Sequence, residues 1–435
     1  MQNVKGTADF VGSKELERKQ VREWLTELFR IYDFAPMETT MLNEMELLEA
    51  KYGGGEEILK EVYRLSDQGG RSLGLRYDLT LPFAKVLALQ PGLPLPVKRY
   101  EIGKVFRDGP VKKGRLREFT QCDADIAGVA GPAAELELFG LARDVFSRVN
   151  LPVIIRWNNR RLLQEMLAVL QVPMEDMPGV MLAMDKLGKI GISGVRQELR
   201  QKGLDEAMAD RLLSLAEAGE WTPRQLAARF GLENSPGVEE ASALLEMLEA
   251  SGLGAICRFE PFLTRGLSFY TGTVFEVFDA TGSYTSSLAA GGRYDAIAGK
   301  LAGNAERACP TVGISFGLDA MMAMLGEEEN AGLGMPAAIV LPVGSEALPA
   351  AARAADMLRR NGICTRVDYS GRKLAKALSS IAKTGIRYVL LIGPDEIAAE
   401  QVRLKDLSDR SELSIPLDKA VYLIEKTEDR RLFAW

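Results

Sequence analysis

The sequence of 435 residues contains no histidine. This absence excludes Ser-His-Asp or Cys-His catalysis and any metal site with histidine ligands. Acid–base chemistry is left to carboxylates, tyrosine, lysine or cysteine. A reaction that depends on positioning and electrostatic stabilisation, such as transfer at a phosphate, is compatible with this restriction.

Cysteine is scarce, and long apolar runs are absent. The four cysteines, Cys122, Cys257, Cys309 and Cys364, lie far apart and form no CxxC pair. They indicate neither a disulfide framework nor a zinc site, so we assign no metal site and expect a reducing, cytoplasmic location. No apolar run is long enough to span a bilayer, and the first residues resemble neither a signal nor a transit peptide, so we expect no membrane partner.

One segment differs in charge from the rest of the chain, whose formal net charge is −6. The segment 98–117 contains eight lysines and arginines and only two acidic residues. It belongs to two alternating runs, Tyr100–Phe106 and Leu116–Ile126, that flank a Gly-Pro turn and predict a long antiparallel hairpin. An ordinary solvated hairpin is one interpretation. The concentration of positive charge in an acidic chain favours a phosphate-binding surface.

The second strand of this hairpin has unusual residues on one face. Alternate residues of a strand share a face. The residues on this face are Arg115, Arg117, Phe119, Gln121, Asp123 and Asp125. Cations, an amide and carboxylates are costly to bury without partners, so this face is predicted to line a site and not a core.

Two further places combine polar residues with predicted strand ends. Asp78 and Thr80 lie where a predicted strand meets the helix Leu79–Leu89. Asp78 is either the N-cap of that helix or a residue facing a pocket, since such junctions commonly carry binding residues.

The second place is the stretch from Arg265 to Tyr270. It precedes an alternating strand, Thr273–Phe278, and contains glycines that let a ligand approach closely. Shortly after that strand, the stretch Ala290–Asp295 is predicted to be a Gly-rich turn.

The chain changes its pattern along its length. Apolar residues at helical spacing predict a first amphipathic helix from Ser13 to near Asp33. Residues from about 184 to 254 are almost wholly helical and read as an insertion within a core formed by residues 1–326. Residues 327–335 form a charged, Gly-rich linker. Strands and helices alternate in residues 336–435 and predict a small α/β domain with a mainly parallel sheet.

Short stretches spread over nearly the whole chain match one family pattern. They are KGTADF from Lys5, LRYDLTLPFA from Leu75, FRDG from Phe106, GRLREFTQCDAD from Gly114, NNR from Asn158, RGLSFYTGTVFE from Arg265 and AGGRYD from Ala290. Together they resemble histidyl-tRNA synthetases, a family of class II aminoacyl-tRNA synthetases. The stretch from Arg265 is special to the histidyl group.

The resemblance implies an α+β fold: a class II antiparallel sheet with flanking helices, a helical insertion and a C-terminal anticodon-binding domain of α/β type. It also implies a ligase reaction, in which histidine and ATP give histidyl-adenylate and pyrophosphate before the acyl group passes to tRNA(His). The implied partners are histidine, ATP, tRNA(His) and a second copy in a homodimer. Mg²⁺ is implied as a cofactor, without an assigned protein ligand.

The resemblance also assigns roles to individual residues. Arg107 and Arg265 are the implied catalytic residues at the α-phosphate, since arginine stays charged and binds pairs of oxygens. The implied ATP-binding residues are Arg107, Arg115 and Phe119. The implied histidine-binding residues are Asp78, Leu79, Thr80, Gln121, Asp125, Arg265, Phe269 and Tyr270. Among these, Asp125 and Tyr270 would read the two imidazole nitrogens, and Asp78, Thr80 and Gln121 would hold the ammonium group.

Two departures from the family pattern keep other functions open. Ala320 stands where the family usually has an arginine that grips the γ-phosphate. Ser268-Phe269 stands in place of Asp-Tyr, so a carboxylate and a hydroxyl are lost near the substrate pocket. The alternatives are a histidine-binding regulatory protein, of the type that serves ATP phosphoribosyltransferase, and an amino-acid-activating paralogue that charges no tRNA.

Overall fold

The computed structural model describes residues 1–52, 59–111, 116–217, 219–265, 269–325 and 336–432. The chain divides into two compact units, one of Met1–Phe10 with Arg18–Gly326 and the other of Val11–Glu17 with Glu327–Trp435. None of the helices in the described ranges is both long enough and apolar enough to cross a membrane.

The part of the chain up to residue 325 combines strands and helices. In chain order its elements are α1 (Ser13–Ile31), β1 (Ala35–Pro36), β2 (Leu42–Glu44), α2 (Met45–Tyr52), β3 (Arg64–Ser66), β4 (Ser72–Leu75), α3 (Thr80–Leu89), β5 (Val97–Phe106), β6 (Glu118–Ala127), α4 (Ala133–Arg148), β7 (Val153–Asn159), α5 (Arg160–Val169), α6 (Met177–Met184), α7 (Leu187–Gln201), α8 (Glu206–Glu217), α9 (Pro223–Phe230), α10 (Pro236–Ala250), β8 (Cys257–Phe259), β9 (Thr273–Asp279), β10 (Ala289–Arg293), α11 (Ile297–Leu301), β11 (Thr311–Gly317) and α12 (Leu318–Leu325).

An eight-stranded sheet in the order β1-β5-β6-β11-β10-β9-β7-β8 is the centre of this unit. Its neighbouring strands are antiparallel, apart from the parallel outer pairs β1–β5 and β7–β8. A smaller antiparallel sheet, β2-β4-β3, lies in the same unit. The predicted α+β architecture, an antiparallel sheet with flanking helices and a helical run that contains α7 to α10, is confirmed.

The two faces of the hairpin β5–β6 have different surroundings. Cys122, Ala124 and Ile126 belong to the main apolar core, together with residues of α1 such as Leu25 and Phe29. The alternate residues of β6, from Gln121 to Asp125, point to the opposite face, as the strand period of two requires. The predicted hairpin is therefore confirmed, and its polar face is kept apart from the core.

One sequence-based prediction in this unit is wrong. The stretch Ala290–Asp295 was expected to form a Gly-rich turn, but Ala289–Arg293 is strand β10, paired with β9 on one side and β11 on the other. Glycine weakens a strand unless another group must come close to its backbone. Close neighbours are present: a methyl group at Gly291 would overlap the backbone oxygen of Gly313 and the Phe275 ring.

The C-terminal unit contains a five-stranded sheet. Its elements are β12 (Ala338–Pro342), α13 (Leu348–Arg360), β13 (Thr365–Val367), α14 (Leu374–Ile381), β14 (Tyr388–Ile392), α15 (Pro394–Ala398), β15 (Val402–Asp406), β16 (Ser411–Ile415) and α16 (Leu417–Leu432). The strand order is β13-β12-β14-β15-β16.

The pairs β12–β13 and β12–β14 are parallel, whereas β14–β15 and β15–β16 are antiparallel. The expected alternation of strands and helices is present up to β14. The expectation of a mainly parallel sheet is wrong, because β15 and β16 follow β14 and add two antiparallel pairs to the sheet.

Candidate active site

A cavity of about 390 Å³ opens on the polar face of the large sheet. This volume lies within the range of small-molecule sites. The cavity is lined by residues from the β4–α3 junction, from β6, β10 and β11, and from the segment before β9. The predicted site residues that line it are Asp78, Thr80, Arg107, Gln121, Asp125, Arg265, Phe269 and Tyr270.

Glycines on two neighbouring strands keep this cavity open. A Cβ atom at Gly313 would overlap the Oδ1 atom of Asp125. A Cβ atom at Gly292 would lie 2.7 Å from the Thr273 carbonyl oxygen and 2.8 Å from the Tyr270 ring. The absence of side chains at these positions leaves space for the cavity-facing groups of neighbouring strands.

Two arginines line the cavity. The Arg107 guanidinium lies 4.2 Å from the Tyr77 ring centroid and 5.0 Å from that of Phe119, and its Nε donates to the Tyr77 carbonyl at 3.1 Å. Arg265 has a backbone φ of 52°, a left-handed conformation that is strained for a non-glycine residue. Its Nη1 lies 3.5 Å from the Phe275 carbonyl oxygen. Both arginines are thus held in place around one space.

Acidic and amide side chains also line the cavity. Asp78 accepts the Leu81 backbone N–H at 2.9 Å, so it caps the start of α3 and also lines the cavity. Gln121 donates to the Ser315 hydroxyl at 2.8 Å. The Oε1 atom of Gln121 is buried without a hydrogen-bond partner among the described residues. A buried amide oxygen without a partner is costly, and a bound ammonium group would satisfy it.

Asp125 is tied down by two neighbours. Its Oδ2 lies 2.7 Å from Nη2 of Arg99, a side chain on β5 that is 1% exposed. Its Oδ1 accepts a hydrogen bond from the Tyr294 hydroxyl. Burial raises the pKa of Tyr294 well above its ordinary value, so this phenol remains a donor at neutral pH.

Asp123 is a second buried carboxyl group that lines the cavity. Burial and the nearby Asp125 carboxylate raise the pKa of Asp123 to about 8. Its Oδ1 has no hydrogen-bond partner within the described part of the chain. At neutral pH the cavity therefore contains one protonated carboxyl group beside one that is paired with a guanidinium, which offers a donor and an acceptor to a ligand with both.

Comparison with known proteins decides the family. Residues 6–321 match the family model of histidyl-tRNA synthetase, and residues 337–427 match that of an anticodon binding domain. The chain belongs to the histidyl-tRNA synthetase family. A histidine–tRNA ligase 1 from Bacillus thuringiensis is 44% identical over 426 residues, which are 96% of this chain and 98% of that protein.

Solved structures agree with this family in fold. A histidyl-tRNA synthetase from Nostoc sp. PCC 7120 is 24% identical, has a TM-score of 0.82, and covers 98% of this chain and 99% of that one. A Bacillus halodurans C structure described as an ATP phosphoribosyltransferase regulatory subunit/histidyl-tRNA synthetase is 20% identical with a TM-score of 0.72, and covers 90% of this chain and 98% of that one.

Two of the residues assigned from the synthetase resemblance, Leu79 and Phe119, do not line the cavity. The Leu79 side chain is completely buried, and only its carbonyl oxygen takes part, as an acceptor from Arg99. Phe119 lies beside Arg107 and is not part of the cavity wall. Arg115 lies outside the described residues, as does Ser268.

Sequence reasoning gave no role to several residues of this site. Asp123 was placed on the correct face of β6 but without a function. Tyr294 was assigned to a turn, and its hydroxyl reaches Asp125. Arg99 and Glu101 alternate on β5 opposite Asp125 and Asp123. That alternation of charge was the signal that could have identified a buried ion-pair network between the two strands.

The position of the missing synthetase arginine lies at the start of α12. Ala320 is buried in the main core. The preceding Asp319 receives Arg18 Nη1 at 2.6 Å and the Thr120 backbone N–H at 3.1 Å. The Asp319 carboxylate therefore bonds to Arg18 and to the Thr120 backbone, and Ala320 has no charged group that could bind a phosphate.

Proposed function

We propose that this chain is a histidine–tRNA ligase, which activates histidine with ATP and transfers it to tRNA(His). The observation that carries this proposal is one cavity whose lining combines two arginines with carboxyl groups, an amide and phenols. Such a cavity is complementary to an amino acid whose carboxylate meets a phosphate while its ammonium and side chain meet acids and hydroxyls.

In the first step a carboxylate oxygen of histidine forms a bond to the α-phosphorus, and the bond from that phosphorus to pyrophosphate breaks. We assign Arg107 and Arg265 to the charge on the phosphate, and Arg265 also to the substrate carboxylate. The step is an in-line displacement that depends on positioning and electrostatics. Phe119 is assigned to the adenine base and Arg115 to the outer phosphates.

We assign the recognition of histidine to the acidic, amide and phenolic side chains of the cavity. Asp78, Thr80 and Gln121 bind the ammonium group in this proposal. Asp125 accepts the N–H of the neutral imidazole, and the Tyr270 hydroxyl donates to the other ring nitrogen. A ring without both nitrogens would leave buried polar groups unpaired, which is the strongest form of discrimination available to a binding site.

In the second step a terminal ribose hydroxyl of tRNA attacks the acyl carbon, and AMP leaves. We assign tRNA binding to residues 336–435, residues 327–335 to the linker, and catalysis to residues 1–326 with the helical insertion. A homodimer and a cytoplasmic location are part of the same proposal. Mg²⁺ would enter with the ATP phosphates, which it binds with few protein ligands. The described ranges contain no group of three or more metal-ligating side chains, so we assign it none.

The test is ATP–pyrophosphate exchange with each of the amino acids, followed by charging of total tRNA. We expect exchange with histidine alone and acylation of one tRNA species. Arg107→Ala should abolish exchange. Arg148→Ala serves as its control, because this half-exposed arginine on α4 pairs with Glu27 at 3.2 Å outside the cavity. Equal exchange in both variants would contradict the assignment of Arg107.

A second candidate function is a histidine-binding regulator without ligase activity. Ala320, in place of the family arginine, favours it, and so does the fold similarity to the Bacillus halodurans structure. A regulator would bind histidine without supporting exchange. Exchange without acylation would instead indicate an activating enzyme that acts on a different acceptor.

A further inference from the structure

Arg99 lies beneath the cavity and contacts two of its walls. Its Nη2 is 2.7 Å from Asp125 Oδ2 on β6 and 2.9 Å from the Leu79 carbonyl oxygen at the start of α3. Its guanidinium carbon lies 4.6 Å from the Phe83 ring centroid. One side chain therefore joins the strand that carries Asp125 to the segment Asp78–Thr80.

We propose that Arg99 is a positioning residue for the amino-acid substrate, because it fixes the distance between the ammonium-binding segment and the imidazole-binding carboxylate. This inference rests on the proposed function. Arg99 does not line the cavity, so it acts through Asp125 and the Leu79 backbone. Since only Cα and Cβ join the ammonium group of histidine to its ring, their separation has a narrow range. Holding the two groups of binding residues within that range favours this amino acid.

Arg99 is itself held in place by neighbouring side chains. Its Nη1 lies 3.6 Å from Glu101 Oε2, and Arg76 donates to Glu101 Oε1 at 2.8 Å. Thr39 donates its hydroxyl to the same carboxylate at 2.9–3.0 Å. Arg76, Arg99 and Glu101 are all 1–2% exposed. The Nε and Nη1 atoms of Arg99 have no hydrogen-bond partner among the described residues, so its link to Glu101 is an ion pair and not a hydrogen bond. The contacts that position its guanidinium are those with Asp125 and the Leu79 carbonyl oxygen.

Arg99 also affects the charge of Asp125, the carboxylate that the proposal assigns to the imidazole. The titratable groups that face Asp125 are Asp123 on the same strand, Tyr294 after β10, Tyr270, Asp78 and Arg99 itself. Of the groups just named, Arg99 is the one that carries a positive charge. Without it, two buried carboxyl groups would face each other uncompensated, and Asp125 would take up a proton more readily. A protonated Asp125 is a poorer acceptor for the imidazole N–H.

The decisive experiment compares three variants. Arg99→Met removes the charge and the contacts with Asp125 and the Leu79 carbonyl oxygen. Arg99→Lys keeps the charge but cannot bridge these two acceptors. The control, Arg387→Met, removes an ion pair with Asp406 in the C-terminal unit. Histidine affinity is measured by calorimetry, and KM for histidine and for ATP by pyrophosphate exchange. We expect Arg99→Met to weaken histidine binding about 10- to 100-fold. The KM for ATP should stay at the wild-type value in Arg99→Met. Arg387→Met should keep the wild-type histidine affinity and the wild-type KM values for histidine and for ATP.

The pH profile separates positioning from a merely structural role. In Arg99→Met the acid limb of kcat/KM for histidine should move to higher pH, because Asp125 must still be ionised. Arg99→Lys should keep the wild-type profile while its histidine KM rises. If Arg99→Lys has the wild-type KM for histidine, the bridging role of Arg99 is overturned. This variant tests that role even if Arg99→Met does not fold. An unshifted profile in folded Arg99→Met would overturn the charge argument.

The same measurements separate this inference from the proposed function. If the wild-type chain binds histidine but shows no exchange, the ligase proposal fails, and calorimetry still measures the effect of Arg99. If the wild-type chain exchanges with histidine and Arg99→Met binds it equally well, the ligase proposal stands and the role of Arg99 is refuted.

Discussion

The protonation of Asp123 makes the stability of this protein depend on pH. Its pKa is about 8 in the folded chain and 3.8 for the ordinary carboxyl group. Between these pH values the folded state binds one proton more than the unfolded state, so the free energy of unfolding decreases as pH rises. The slope is about 1.4 kcal/mol per pH unit, and the contribution is lost completely only above the folded pKa.

The substitution Asp123→Asn removes this contribution, because an amide has nearly the shape of the protonated acid and does not titrate. From pH 5.5 to 7.5 the wild-type chain should lose roughly 2–3 kcal/mol through Asp123 alone. For a unit of roughly 320 residues, 1 kcal/mol corresponds to about 1.5 °C in Tm, so the wild-type Tm should fall by about 4 °C more than that of the variant.

Thermal unfolding of both proteins at several pH values between 5.5 and 7.5 measures this difference. Each protein is compared with itself at another pH, so any effect of the substitution that does not depend on pH cancels. We expect the Tm difference between variant and wild type to grow steadily in favour of the variant as pH rises. Parallel Tm curves would refute the reasoning, since they would mean that Asp123 is already ionised in the folded chain.

Three other variants test the proposed site. Arg265→Ala should abolish adenylate formation, measured as exchange, while calorimetry still detects weak histidine binding; full exchange would exclude the assigned role. Gly313→Ala places a methyl group on Asp125 Oδ1 and should weaken histidine binding about tenfold or more, and wild-type affinity would contradict this packing argument. Ala320→Arg introduces the arginine that the family usually carries and should lower KM for ATP about 10- to 100-fold; an unchanged KM would mean that this position does not face the γ-phosphate.

The elements that the sequence predicted well are those with an uninterrupted period. The apolar face of α1 repeats at helical spacing. Its residues Val21 and Leu25 are buried, and Trp24, Leu28 and Tyr32 pack partly buried against the same core. The strands β5 and β6 are ten residues each and form the expected antiparallel pair. Because the faces of a strand are fixed by its period, Gln121, Asp123 and Asp125 could be placed together before the structure was known.

The elements that were missed depend on neighbours distant in sequence. The glycines of β10 look like a turn when they are read alone. They are compatible with a strand because Phe275 and the Gly313 backbone fill the space beside them. The pairing of β15 with β14 adds a hairpin that local alternation did not predict, and it ties Arg387 to Asp406. Tertiary packing decides such cases against local propensity.

The charge of the site is the property that most needed the structure. The sequence identifies Asp123 and Asp125 as acids on one face, but the register of the hairpin places Glu101 opposite Asp123 and Arg99 opposite Asp125. With Arg76 this buried group has two cations and three acids, so it becomes neutral when one acid takes a proton. Glu101 receives Arg76 at 2.8 Å and Asp125 receives Arg99 at 2.7 Å, which leaves Asp123 as the acid to be protonated. A change of one residue in register would place Arg99 opposite Ala124 or Ile126, which face the apolar core, and would leave Asp125 without its cationic partner.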